Sequence, residues 1–245
     1  MACITDIDIN FEFTTDTPNY WDGEGSDPDN ASPTLQEYQR LLWSKVLPIG
    51  KFMDLKKGSG TNYLYWNEFR FGSDSIINMY SHHKNQYIQN LTKELKAKTN
   101  NYDILIDTYI RKGYTIGGEI IFPKNGNYSI NSQRGTNKLI RDRFDLTVEC
   151  IRRYYNNIDS PLSETLNKNK SFFDLFIDFK GYIEYFILQD IVDNNYTNID
   201  FFLDLNDFDR DPYPKNVEEW FILYNKQMEF LNRRNKRILN YIQSQ

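Results

Sequence analysis

The sequence predicts an α+β fold in a single compact domain (1–245), with strands mostly in the N-terminal half and helices in the C-terminal half. Two observations carry this. Strand-like alternation and short apolar runs gather before about residue 123, and apolar residues at helical spacing dominate after about residue 137. A third bears on size: 245 residues with 16% aromatic content supply enough bulky apolar surface for a substantial core without staples.

Taken in order, "TDIDINFEFT" places Ile7, Ile9, Phe11 and Phe13 on one side and Asp6, Asp8, Asn10 and Glu12 on the other, the pattern of a half-buried strand. The turn-rich residues 14–31 read as an exposed loop. Ser32 is placed to cap and Pro33 to occupy the first position of a helix. "KFMDL" and "NYLYWNEFRF" read as short strands around "KKGSG". Ser73 and Asp74 are candidate caps for a helix from about Ser75 to Lys98, and "YDILIDTYI" fits strand or helix. "YTIGGEIIFP" is a strand whose Gly117 and Gly118 mark a bulge or a close approach of backbone or ligand. Helical spacing then runs from about Asn137 or Asp142 to Tyr155. "SFFDLFIDF" and "GYIEYFILQDIV" read as two buried helices separated near Gly181, and "IDFFLDL" as a short strand. The last helix opens with Asn216 as cap and Glu219 three residues on, a capping box.

Several kinds of chemistry are disfavoured. Cys3 and Cys150 suggest neither a disulfide framework nor a thiolate metal site. No secretory leader and no apolar membrane span is recognisable, so a cytoplasmic protein without membrane attachment is expected. His82 and His83, the only histidines, cannot assemble a three-histidine zinc site, and no nucleophile elbow, Walker loop or dinucleotide fingerprint is present. Asp207, Asp209, Asp211 and Glu218 have calcium-loop spacing, but Pro212 replaces the required glycine, which favours an acidic loop capping the last helix. The net charge of -5 conceals segregation: residues 1–30 hold eight acids and no Lys or Arg, whereas 134–153 and 226–237 are net basic. In the second basic segment, Arg233, Arg234, Lys236 and Arg237 read as residues suited to a helix carboxyl end, with RNA contact as the alternative.

"SPTLQEYQRLLWSKVLPIG", "YTIGGEIIFP", "SINSQRGTNKLIRDRFDLTVECIRRYY", "SPL" and "FFDLFIDFKGYIEYFILQDIV" occur in this order. Together they make most of the chain similar to an uncharacterised bacterial family known only as a domain of unknown function. That family favours proline where this chain has Val46. The resemblance implies a bacterial, cytoplasmic, single-domain protein and supplies no catalytic residue.

The segment from Arg134 to Tyr155 is the candidate site. On one helix Asp142, Asp145, Glu149 and Arg152 share an arc of about 80°, with apolar residues opposite. Such a row can bind a divalent cation such as magnesium or provide a carboxylate base; equally, it can be a solvated face with Glu149 paired to Arg152 or Arg153. Arg143 falls in the apolar arc, so either the helix restarts near Asp142 or a buried guanidinium needs a carboxylate. The functional expectation is that Arg134, Asn137, Arg141, Arg143 and Arg152 recognise an anion while Glu149 or Asp145 supplies acid–base chemistry. The substrate would then be a phosphate-containing nucleotide or nucleic acid, attacked at a glycosidic or phosphoester bond. The alternative is a non-catalytic binding or regulatory protein whose Arg cluster grips an acidic protein partner. A role in phage defence or as a toxin rests on no particular residue.

Overall fold

The computed structural model describes residues 3–17, 19–20, 23, 25–58, 63–78 and 85–245. The N-terminal alternation does not form a strand. Short 3-10 turns at Ile4–Asp6 and Phe13–Thr15 flank it. In place of a ladder, the Asp8 amide donates to Tyr38 Oη at 3.2 Å and the Phe13 amide to the Tyr114 carbonyl at 2.8 Å. Ile7 and Phe13 are buried, and Ile9 and Phe11 pack on the core. The period of two therefore marks which side chains turn inward and says nothing of a sheet partner. Within 14–31, Thr14, Thr17 and Pro28 are buried. Asp27 there caps the single turn α1 (Pro28–Ala31).

Helix α2 (Pro33–Trp43) starts where the sequence places it: Ser32 Oγ accepts from the Leu35 amide at 3.0 Å and Pro33 takes the first position. The strands β1 (Lys56–Lys57), β2 (Leu64–Trp66) and β3 (Phe69–Ser75) follow. "KFMDL" gives only the isolated bridge Val46–Phe52 ahead of them. Ser73 and Asp74 are strand residues and not helix caps; Asn85 instead caps α3 (Gln86–Lys98), its side chain accepting from the Tyr87 amide at 2.9 Å. His82 and His83 lie outside the described residues. "YDILIDTYI" falls in helix α4 (Tyr102–Gly113), after which β4 (Glu119–Pro123) pairs with β3. The sheet is antiparallel in the order β1-β2-β3-β4.

The helices α5 (Ile130–Thr136), α6 (Phe144–Tyr155), α7 (Ser163–Lys168), α8 (Lys170–Phe173), α9 (Phe179–Tyr185) and α10 (Val217–Gln243) build the rest. The aromatic helices break at Ile177, whose φ is +70°, and Asp178 caps α9. Gly181 lies inside α9, where a Cβ would stand 2.1 Å from the Phe176 carbonyl oxygen; its smallness serves close approach, not a break. "IDFFLDL" contributes the single bridge Val192–Ile199 and no strand. Rings fill the core around this helical layer, with centroids 4.9 Å apart for Tyr182–Phe186 and 5.1 Å for Phe172–Phe176.

Helix α10 ties the two halves together. Asn216 Oδ1 accepts from the Glu219 amide at 2.9 Å, but Glu219 reaches Arg210 and the Lys215 amide instead of closing the predicted box. The basic cluster is mid-helix, since α10 continues to Gln243 with no basic residue in its last turn. Arg233 pairs with Glu229 and Arg237 with Asp190. Arg234 is fully buried and donates to four backbone carbonyls, those of Gly117, Glu119, Phe186 and Ile187, at 2.8–3.1 Å. Beside it, Asn235 Oδ1 takes the Gly117 amide at 2.7 Å, and a Cβ on Gly117 would stand 2.4 Å from that oxygen. Gly117 thus admits α10, and Gly118, where a Cβ would stand 1.7 Å from the Gly113 carbonyl oxygen, admits the end of α4.

Candidate functional site

The predicted arginines are divided among separate internal networks. Arg134 comes from α5, fully buried, and its Nη1 donates to Asp74 Oδ2 at 2.6 Å while Nη2 donates to the Asp142 carbonyl at 2.6 Å. Its Nε reaches Thr147 Oγ1 at 3.2 Å. The chain turns through left-handed Arg141 and Asp142 and restarts helically at Phe144, with Arg143 in the cap position. Arg143 points inward, as the apolar arc implies, and forks onto Asp145, with Nε–Oδ1 at 2.8 Å. It also bonds the carbonyls of Pro212 and Leu203, while Asp145 accepts from the Phe202 amide at 2.8 Å. Glu149 is 3% exposed and held by Arg152 and Arg153, and Arg153 passes on to Asp207. Asn137 bridges to the Pro161 carbonyl at 3.0 Å, and the Arg141 guanidinium lies 5.5 Å from the Tyr213 ring. The row on α6 is therefore not a solvated face. Residues 144 to 151 are all buried, and its charges are matched within the protein.

Of these residues, Arg134 leads toward a second group of carboxyls. Its partner Asp74 alternates on β3 with Ser73 and Ser75, which face the neighbouring strand's Glu119. Ser75 Oγ donates to Glu119 Oε1 at 3.1 Å and Ser73 Oγ to Oε2 at 3.4 Å, while Gln39 Nε2 of α2 donates to Ser73 Oγ at 2.9 Å. Asp16 accepts from the Ser32 hydroxyl at 2.6 Å and the Thr34 amide at 3.0 Å, tying the acidic N-terminal segment to the start of α2. Tyr114 Oη donates to Asp27 Oδ1 at 2.8 Å, and the Tyr20 and Tyr114 rings meet edge to face at 5.5 Å. Two buried polar atoms here, Tyr63 Oη and Gln39 Oε1, have no hydrogen-bond partner of good geometry among the described residues. Buried atoms of this kind are ordinarily satisfied.

The electrostatics of this face are uneven. Burial, with the charges of Asp29, Asp27 and Asp74 added, holds the Glu119 carboxyl well above the usual carboxylate range. Burial and the neighbouring Asp27 and Asp74 charges do the same to Asp29, against the pull of Lys124. Asp74 rises to about 6 through burial, less the opposing effect of Arg134. Carboxyls that keep their protons at neutral pH can donate them. Among the described residues no group of three or more His, Cys, Asp or Glu is arranged to hold a metal ion, the calcium-spaced acids included; Asp207 pairs with Arg153 and Asp211 accepts from the Tyr213 amide.

An α+β protein with acidic side chains and tyrosines gathered near a buried carboxyl, Glu119, is what the geometry defines. A family model described as a family of unknown function, DUF6994, matches residues 7–238, and the chain belongs to that family. No curated protein and no solved structure matches it. No helix among the described residues is long and apolar enough to cross a membrane. Asp27, Asp29 and Glu119 escape a motif search, and the signal that points to the first two is the run of eight acids without a counter-charge in residues 1–30.

Proposed function

We propose that this chain is an enzyme that works by carboxyl acid–base chemistry at the glycosidic bond of a nucleoside-like substrate. Its main support is that Asp29 and Glu119 hold their protons beside further acids, Asp27 and Asp74. In this reading one protonated carboxyl donates to the departing group while a neighbouring carboxylate stabilises the positive charge that grows on the sugar ring. Tyr63 Oη and Gln39 Oε1 have hydrogen bonds to offer sugar hydroxyls, and the Tyr20–Tyr114 pair offers a ring wall.

The role proposed for Arg134 shifts accordingly, from gripping a phosphate to holding Asp74. A phosphate group would meet the field of Asp27, Asp74 and Asp142, so the nucleoside is favoured over the nucleotide unless magnesium accompanies the phosphate. The test is incubation with nucleosides and nucleotides, with and without magnesium, following free base and free phosphate separately. Release of base by the parent chain, reduced at least about a hundredfold in Asp29→Asn or Glu119→Gln, is the expected result. Release of phosphate alone would restore the phosphoester reading. Neither product, with binding to an acidic protein, would favour the non-catalytic alternative.

A further inference from the structure

A cleft of about 850 Å³ lies between the end of α2 and helices α9 and α10, and Lys45, Tyr185, Tyr241, Phe52 and Glu184 are among the residues lining it. Lys45 follows the last turn of α2, and its backbone is fixed: its amide donates to the Trp43 carbonyl at 3.1 Å and its carbonyl accepts from the Met53 amide at 3.0 Å. The side chain is partly exposed and ends among three rings, with Nζ 4.5 Å from the Tyr241 centroid, 4.7 Å from Tyr185 and 5.0 Å from Trp43. None of the described carboxylates forms an ion pair with it. Glu184 is engaged elsewhere, accepting from Tyr196 Oη at 2.9 Å and lying 3.8 Å from Lys180 Nζ. The other titratable groups around Lys45 are Cys3, Tyr185 and Tyr241 in the cleft and Arg234, whose guanidinium lies 5.9 Å from the Trp43 ring. Val46 and Phe52, 61% and 56% exposed, give the rim an apolar edge.

An ammonium enclosed by rings can be purely structural, held by cation–π attraction. Two features go beyond that. Burial and the Arg234 charge push Lys45 down to about 7, so a large share of the amine is neutral and nucleophilic at neutral pH. Lys45 and two of the rings around its amine, Tyr185 and Tyr241, also line a cleft with room for a ring-sized molecule. A carboxylate ligand would favour a charged lysine and a second donor; a carbonyl needs a neutral amine and apolar walls.

We infer that this cleft is a second ligand site, where the Lys45 amine condenses reversibly with an aldehyde or ketone carried on a flat apolar body. The nitrogen lone pair adds to the carbonyl carbon and the C=O pair moves to oxygen. Proton transfer from nitrogen to that oxygen gives a carbinolamine, and loss of water leaves the C=N bond.

The test treats the full chain at pH 7 with benzaldehyde and cyanoborohydride, which reduces the imine to a stable benzyl amine, and maps the modified lysines by peptide mass. Lys45 should be labelled at least about tenfold faster than surface lysines such as Lys98 and Lys170, with half-maximal labelling near pH 7. Lys45→Arg should lose that label without loss of melting temperature. Labelling spread over all lysines by exposure would overturn the inference, as would an unmodified Lys45 in a folded chain. Stabilisation by benzoate with no trapped imine would also overturn it, in favour of a carboxylate site.

Discussion

Two buried cations are handled in opposite ways. Arg143, at the start of α6, meets a buried carboxylate, Asp145, in a forked pair. Arg234, midway along α10, forms no ion pair with a carboxylate among the described residues and is held by four carbonyl oxygens, and burial lowers its pKa to about 9. A paired ion cannot lose its partner without leaving a bare charge in a medium that solvates it poorly. An ion held by backbone dipoles has its cost spread over many weak partners. Sequence alone does not distinguish them, since both appear as an arginine among apolar neighbours.

The largest expected effect follows from the paired case. Asp145→Ala should destabilise by about 3–5 kcal/mol in urea unfolding, because Arg143 stays buried without its counterion. The double change Arg143→Met with Asp145→Leu should recover much of that loss. If the double variant is as unstable as the single, the pair matters for its hydrogen bonds to Leu203, Pro212 and Phe202 and not for charge. Arg234→Met should cost less, about 2–4 kcal/mol, by leaving carbonyl acceptors unfilled. A cost equal to that of Asp145→Ala would erase the distinction.

Titration sharpens the same contrast. Lys45, which pairs with none of the described carboxylates, has its folded pKa lowered to about 7, so between pH 7 and about 10 the unfolded chain holds a proton that the folded chain has lost. Stability from this group rises with pH across that window, and Lys45→Met should flatten the rise. Asp74 is raised to about 6 despite Arg134, so from about pH 4 to 6 the unfolded chain releases its proton first. Stability from Asp74 therefore falls as pH rises through that range, and the difference between the parent and Asp74→Asn in unfolding free energy should show it. Smallest of all, Glu94→Gln breaks an exposed pair with Lys98 and should change stability by no more than about 0.5 kcal/mol.

What could be read from the chain was set by how local its cause is. The Ser32–Pro33 start of α2 and the Asn216 cap of α10 are visible because cap and helix are adjacent. Ser73 and Asp74 mislead because cap residues also fit a strand, and the partner that decides, β4, lies some 45 residues away. The wheel left two readings of Arg143 open, a helix restart near Asp142 or an inward guanidinium with a carboxylate partner; the helix restarts at Phe144 and the guanidinium also turns inward onto Asp145. That Asp145 and Glu149 are buried was not legible, since a row of charges looks the same beside water or beside internal counter-ions. The acidic N-terminal segment stood out in composition. Its meeting with Glu119 and Tyr63 depends on α1 lying against β3 and on Gln39 of α2 reaching Ser73, which no local pattern encodes.

The grip of Arg234 on Gly117 and Glu119 spans more than a hundred residues of chain. During synthesis, then, the strand β4 emerges long before the helix that fastens it, and the nascent polypeptide must carry an unsecured sheet until α10 has been translated. Chaperone demand for this protein should accordingly be greatest in the interval between emergence of β4 and emergence of α10.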